Sequence, residues 1–323
     1  MPELSPSVLI IRLDAIGDAL ALTPSIAALR RYEIPVDVVL RPSNALVFSA
    51  RALREVIVSE FALRSDAHAT LEAIERLGRE LRSREYTHVL VATEDPGGYR
   101  LAAAVGAPVR VGFEDPLGKP LKALWTRRLL TQSVYRSARL TAKSAHECET
   151  LFHLVAPLVD EATPTRDLSQ LRPLVLDSEP APDGRVAVQI THKWERLGIP
   201  LESVVELVRR LASACELRLL SSINETAYAD AIQSSTGLSV SAFDDVASWK
   251  SAIAAADAIV TPDSGALHVA GMIGTPVVAV FPPTRDFAAQ VARWSPWAAP
   301  HRIVRAGEQW PTRAADALAQ LLG

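Results

Sequence analysis

A chain of 323 residues, 49% of them hydrophobic, is too long for one ordinary core and fits two domains of about 150 residues each, which excludes disordered and fibrous architectures. With 34 Lys and Arg against 37 Asp and Glu, no global basic field draws the chain onto nucleic acid or an anionic membrane. Cys148 and Cys215 lie far apart without metal-ligand spacing, which predicts two inert buried thiols, excludes a disulfide framework and makes a reducing cytoplasm the expected compartment.

Residues 8–13 are an apolar run broken only by Arg12, the pattern of a strand buried on both faces. A loop from Asp14 to Asp18 follows, and a helix starts at Thr23 and Pro24, or earlier near Asp18, and runs to about Arg31. Strands are predicted at 36–40 and 56–58, a helix with one charged face at 70–84, and a strand at 88–92 that the loop 93–98 breaks. Residues 101–105 read as helical and 110–112 as extended. From 114 to 141 the pattern yields only turns, at Pro116, Gly118 and Pro120, and a basic character from Arg127, Arg128, Arg136 and Arg139. A helix is predicted over 143–159. The stretch 160–184, rich in Pro and Asp, marks the junction, with the linker placed at 166–184 between an amino-terminal domain, 1–165, and a carboxyl-terminal one, 185–323.

Alternation then resumes: strand 185–190, helix 201–214, strand 217–220, helices 225–235 and 246–256, strand 258–261, helix 264–273, strand 276–281 and a closing helix 314–322, which is free to pack back on the first domain. Two α/β halves of this kind imply parallel sheets, whose ligands bind at the carboxyl ends of the strands. No secretory signal is expected, because the run 8–11 is short and has no basic segment ahead of it. The longest apolar stretch, 266–281, contains His268, Gly271, Gly274 and Pro276 and reads as helix, turn and strand, whereas a membrane span needs about 20 apolar residues.

Three segments at strand ends can carry chemistry. In the first, Gly17 permits a tight turn and Asp18, at a helix start, can take a proton from a hydroxyl nucleophile or simply cap the helix; Asp14 is a second carboxylate there. In the second, Ser264 and Gly265 open a helix whose first N–H groups suit a diphosphate, Asp263 can accept from sugar hydroxyls and His268 lies near the same end. In the third, Thr191, Lys193 and Arg196 follow the first strand of the second half and can neutralise phosphate charge, or form a solvated loop. Glu94 and Asp95, and the run from Pro282 to Asp286, are further candidates. No complete dinucleotide fingerprint, phosphate loop, nucleophile elbow or metal-ligand cluster is present, so no metal site is expected.

The run from Val8 to Arg30, VLIIRLDAIGDALALTPSIAALR, closely resembles the amino terminus of the ADP-heptose:lipopolysaccharide heptosyltransferases, glycosyltransferase family nine. The run from Thr261 to Thr284, TPDSGALHVAGMIGTPVVAVFPPT, is similar to that family's donor-binding segment, with weaker echoes in VRVGF at 109–113 and HECETLFHL at 146–154. The resemblance implies a GT-B fold, two Rossmann-like α/β domains whose parallel sheets face a central cleft, with acceptor on the first and nucleotide sugar on the second. It implies an inverting, metal-independent transfer with no cofactor beyond an ADP-sugar co-substrate. Asp18 matches the family's proposed general base. Asp263, Ser264, Gly265 and His268 match its donor-binding stretch, with Ser for the more usual Thr, and Lys193 and Arg196 stand near its phosphate-binding lysine. The chain departs from the family at 92–100, where an Asp-x-Gln pattern is usual, and after Gln189.

The expected function is transfer of a sugar, heptose foremost, to a lipopolysaccharide-core or related glycan acceptor. The rival is a catalytically silent nucleotide-sugar or glycan binder of the same fold. An epimerase is disfavoured by the missing nicotinamide fingerprint. No nucleic-acid partner is expected. The stretches 125–130 and 136–139, where arginines accompany apolar residues, read first as solvated loop and second as a peripheral contact with the inner face of the cytoplasmic membrane.

Overall fold

The computed structural model describes residues 5–59, 67–137, 139 and 141–323. The chain divides into two compact units, Met1–Leu140 with Glu147–Thr165, and Thr141–His146 with Arg166–Gly323.

In the first unit β1 (Val8–Ile11), β2 (Val36–Leu40), β3 (Glu55–Val58), β4 (His88–Val91), β5 (Val109–Glu114) and β6 (Gln132–Tyr135) form a parallel sheet in the order β3-β2-β1-β4-β5-β6. Its helices are α1 (Ile16–Leu20), α2 (Thr23–Arg31), α3 (Ala67–Arg82), α4 (Pro96–Val105), α5 (Pro120–Thr126) and α6 (Glu147–Phe152). β1 and β2 are buried along their whole length, as apolar strands covered on both faces must be. Leu9, Ile11, Val89, Val91, Tyr99 and Leu101 fill the core.

The second unit begins its regular structure with α7 (Leu168–Val175) and β7 (Val186–Gln189), followed by α8 (Lys193–Arg196), α9 (Leu201–Ala212), β8 (Leu217–Ser222), α10 (Thr226–Thr236) and β9 (Val240–Phe243). It continues through α11 (Val246–Ala255), β10 (Ala258–Pro262), α12 (Gly265–Ile273), β11 (Val277–Phe281), α13 (Phe287–Trp294), β12 (His301–Arg305) and α14 (Trp310–Leu322). The strands pair in parallel in the order β12-β11-β10-β7-β8-β9. In each sheet the first and fourth strands lie side by side while the chain winds outward from them in opposite directions. The carboxyl ends of β1 and β4, and of β7 and β10, are therefore topological switch points, where open α/β sheets hold ligands.

Several elements differ from the sequence expectation. The loop predicted at 93–98 ends in a helix: Asp95 caps α4 by accepting from Gly97 N at 2.8 Å, and Pro96 occupies the first turn. Gly98 is there for space, since a Cβ would sit 2.5 Å from Thr93 Cγ2. The helix predicted over 143–159 shrinks to α6 and a 3-10 turn, Ala156–Leu158, because Pro157 lacks the N–H a continuing helix needs. Residues 141–146 go with the second unit rather than with 1–165. The stretch 166–184, expected as a linker, also joins the second unit. There Asp167 caps α7 through Ser169 N at 2.9 Å, and α7 buries Leu171, Leu174 and Val175 despite Pro173. The closing helix belongs to the second unit. Trp310, Ala314 and Leu318 of α14 are part of the second unit's core, with Trp310 stacked on Trp194 at 5.4 Å. Cys148 is buried and Cys215 half-buried, and the two form no disulfide. Among the described residues no helix is long and apolar enough to cross a membrane.

Candidate active site

At the first unit's switch point the chain leaves β1 as Arg12, a fully buried arginine. A guanidinium can be buried only if its donors find acceptors. Arg12 donates from Nε to Asp18 O at 3.0 Å, from Nη2 to Asp18 Oδ1 at 2.9 Å and to Glu147 Oε1 at 3.2 Å, and from Nη1 to Ala92 O just beyond β4. Its Nε also lies 3.5 Å from Asp14 Oδ2. One side chain thus fastens the ends of β1 and β4, the start of α1 and the start of α6. These acids outweigh burial and hold the Arg12 pKa above its ordinary value. Burial pushes the Glu147 carboxyl up, against the opposing pull of Arg12 and Arg136.

Asp18 sits in the first turn of α1, where its Oδ2 accepts from Ala15 N at 3.2 Å. Both its oxygens are engaged, yet its side chain keeps 28% exposure and each carboxylate oxygen has a second lone pair. Gly17 is buried in the same turn, and Asn44 Nδ2 donates to Asp14 O at 2.8 Å. Asp14, Gly17 and Asp18 therefore come together. The alternative acids are engaged otherwise: Glu94 pairs with Lys119 at 2.5 Å and Lys122 at 3.4 Å, and Asp95, near enough to Asp14 for their charges to repel, is committed to its cap and to Arg41 at 3.3 Å.

In the second unit, parallel pairing of β7 with β10 brings the other two segments to one sheet end. Ser264 stands at the N-cap of α12, but its side chain makes no capping bond; its hydroxyl lies 2.9 Å from that of Thr261. The first-turn N–H groups of α12 are left uncapped by it, which suits an anion. Asp263 flanks the same turn, with His268 Nε2 3.9 Å from its Oδ1 and the His268 ring edge-on to Trp294 at 5.6 Å. Asp263, Ser264, Gly265 and His268 form one cluster.

Across the switch point Trp194 is the anchor. It is completely buried, stacks on Trp310 and donates from Nε1 to Gln189 O at 2.9 Å, which converts the predicted loop into the short helix α8. Lys193 is left half-buried and Arg196 exposed, three residues apart on one helix face. The Thr191 hydroxyl donates to Glu225 Oε1 at 2.8 Å, and His192 N reaches the same oxygen at 3.3 Å. Sequence reasoning placed Glu225 only as a helix start; its position just after β8, at the carboxyl edge of the sheet, was the available signal. Thr284, Arg285 and Asp286 are exposed beyond β11. Among the described residues no three His, Cys, Asp or Glu side chains gather to hold a metal ion.

Residues 182–321 match the family described as glycosyltransferase family 9 (heptosyltransferase). No curated protein sequence matches the chain. Among solved structures, the family 9 glycosyl transferase from Veillonella parvula DSM 2008 superposes with a TM-score of 0.76 at 15% identity, covering 100% of this chain and 98% of that one. E. coli heptosyltransferase WaaC with ADP gives 0.73 at 18% identity over 97% and 98% of the two chains. E. coli ADP-heptose lps heptosyltransferase II gives 0.70 at 18% identity over 98% of each. Identities this low establish the fold, two Rossmann-like parallel sheets of the GT-B class.

Proposed function

We infer that this chain, whose residues 182–321 belong to glycosyltransferase family 9 (heptosyltransferase), moves a heptose from an ADP-sugar to a lipopolysaccharide-core or related glycan acceptor in the cytoplasm, with inversion and without a metal. Glycosyl transfer comes with the family. The ADP-linked donor is supported by WaaC, a protein of the same fold solved with ADP. The observation that carries the reading is the uncapped first turn of α12 at the switch point of the family-matching unit.

In this proposal the diphosphate sits on the N–H groups of that turn, and Lys193, half-buried and nearer the strand end than exposed Arg196, adds positive charge. Asp263 and His268 face the sugar. Asp18 takes the proton of the acceptor hydroxyl as its oxygen attacks the anomeric carbon opposite the leaving group. The carbon–oxygen bond to the diphosphate breaks and the ADP leaves with the electron pair. Arg12 holds Asp18 in register for that step. With these fixed donors and Lys193 to stabilise the leaving diphosphate, transfer is expected to persist in EDTA.

A thermal-shift comparison of ADP, GDP and UDP tests the donor, since a ligand of the native state raises the melting point. Asp18→Asn tests the base: transfer is expected to fall about 10²- to 10⁴-fold while the ADP shift stays unchanged. One observation favours the rival, a catalytically silent binder. Both Asp18 oxygens already serve Arg12 and Ala15, as a purely structural cap would. That reading prevails if ADP binds, no nucleotide is released from ADP-heptose with any core acceptor, and Asp18→Asn only lowers the melting point.

A further inference from the structure

Apolar residues fill β7 up to its last position, where a buried glutamine, Gln189, ends the strand. Side chains alternate between the two faces of a sheet. Val186 and Val188 of β7, with Ala258 and Val260 beside them on β10, belong to the core shared with Leu207 of α9 and Ala314 of α14. Gln189 and Thr261, one residue further on in the same register, therefore point to the opposite face, on strands about 4.8 Å apart. Thr261 is buried there, with its hydroxyl 2.9 Å from that of Ser264 at the open turn of α12. The amide of Gln189 is thus a neighbour of that turn, reached from the other strand of the switch point.

Which way round the amide lies is fixed by its partner. An indole N–H can only donate. Trp249, half-buried in α11, donates from Nε1 to Gln189 Oε1 at 3.0 Å, so the amide oxygen faces the indole and the NH2 group faces away from it. Of the two N–H bonds on that nitrogen, one reaches Ile190 O at 3.4 Å, a long hydrogen bond, and the other has no acceptor among the described residues. The main chain is pinned as well, since the Gln189 carbonyl accepts from Trp194 Nε1 at 2.9 Å. Two indoles hold a buried amide in place while one of its donors stays unmet. A donor in that position is costly unless an acceptor is brought to it.

We propose that Gln189 donates from Nε2 to a phosphate oxygen of a bound nucleoside diphosphate, and that Trp249 is the positioning residue that turns the amide N–H toward it. The assignment rests on reading the α12 turn as the donor site, and it adds a neutral donor from the neighbouring strand. An anionic oxygen is the acceptor that gains most from such a donor. A carboxamide suits the place better than a lysine would, because it leaves no uncompensated charge buried when the ligand departs. The diphosphate is then held from β10 by the helix N–H groups and from β7 by the side chain.

Isothermal titration of the full chain with ADP, inorganic pyrophosphate and adenosine tests the assignment. Gln189→Met with Trp249→Phe removes both partners together, so neither is left buried without the other, and the melting point is expected to stay near the parent's. In that double variant ADP and pyrophosphate should bind about tenfold or more weakly, the scale of a lost charge-assisted hydrogen bond, while adenosine changes less than about twofold. Trp249→Phe alone keeps the amide but frees it to turn, and should weaken ADP about threefold. The proposal fails if either variant binds ADP and pyrophosphate as the parent does. It also fails if adenosine loses as much as ADP, which would make Gln189 a structural tie or a nucleoside contact. A parent chain that binds neither ADP nor pyrophosphate overturns the donor-site reading itself, and this assignment with it.

Discussion

Converting Glu147 to Gln removes one charge from the centre of the first unit. Glu147 is wholly buried; its Oε1 accepts from Arg12 Nη2 at 3.2 Å, and Arg136 Nη2 donates to both its oxygens at 3.0 Å. Arg136 has no slack, since its Nε and Nη1 are buried and make no hydrogen bond among the described residues. An amide at 147 leaves two buried guanidiniums facing one neutral oxygen, with an NH2 group turned toward a donor. Breaking a buried pair in this way costs about 3–5 kcal/mol, which is roughly 10²- to 10³-fold or more in the equilibrium for local opening. Hydrogen exchange resolves where that cost falls. Amides of β1, β4 and α1, which Arg12 ties together, should exchange about 10²- to 10³-fold faster, while those of β7 and β10 keep the parent rate because the second unit has its own core. A change below about tenfold in β1, or an equal change in both units, refutes the idea that the Arg12–Glu147–Arg136 cluster organises the Asp18 loop.

Lys193→Ala should lower kcat/KM for the sugar donor about 10²-fold and Arg196→Ala less than about threefold, as steady-state kinetics would show; equal effects would make α8 a diffuse basic patch. Gly271→Ala places a Cβ 2.9 Å from Trp297 N and 3.1 Å from Pro296 Cα, both backbone, so denaturant melts should report a loss of about 1–3 kcal/mol together with weaker ADP binding as α12 shifts. His146 donates from Nε2 to Ser295 O at 2.9 Å, and burial first, with His268, Arg166 and His301 nearby, holds its pKa down to about 4. Between that value and the ordinary 6.5 the unfolded chain binds a proton that the folded chain refuses. Its stabilisation is complete above 6.5 and is lost as pH falls toward about 4, amounting to about 3 kcal/mol. Melts of His146→Gln at pH 7 and about pH 4.5 should therefore differ less than those of the parent; parallel curves would show that His146 is solvated.

What the sequence disclosed follows from range. β1, β7 and β10 are apolar runs covered on both faces, so their ends, and the turns carrying Asp18, Lys193 and Ser264, could be placed from local pattern alone. β6, β9 and β12 could not. Edge positions leave them largely uncovered, so Gln132–Tyr135 and Val240–Phe243 carry no continuous apolar run. The caps were misjudged where a residue served two purposes: Pro96, Gly97 and Gly98 spell a loop, yet Asp95 and a crowded Thr93 make them the opening of a helix.

The pairings were hidden for a different reason. Arg12 and Glu147 are 135 residues apart, and Thr191 and Glu225 are 34 apart. No local period links such positions; only the winding order of the sheet does, by carrying α6 back to β1 and the turn after β8 to the end of β7. This separation bears on how the site arose as a physical object. The groups that touch substrate in the proposed reaction sit in short turns that strand geometry alone presents. The groups that fix them, Glu147 for Arg12 and Glu225 for Thr191, are supplied by distant segments, and Glu147 is buried in doing so. A chain that kept the turns but lost those partners would keep its fold and its signature residues while the carboxylate of Asp18 lost its fixed bearing. Restoring Glu147 would then bring back transfer without altering any residue in contact with either substrate.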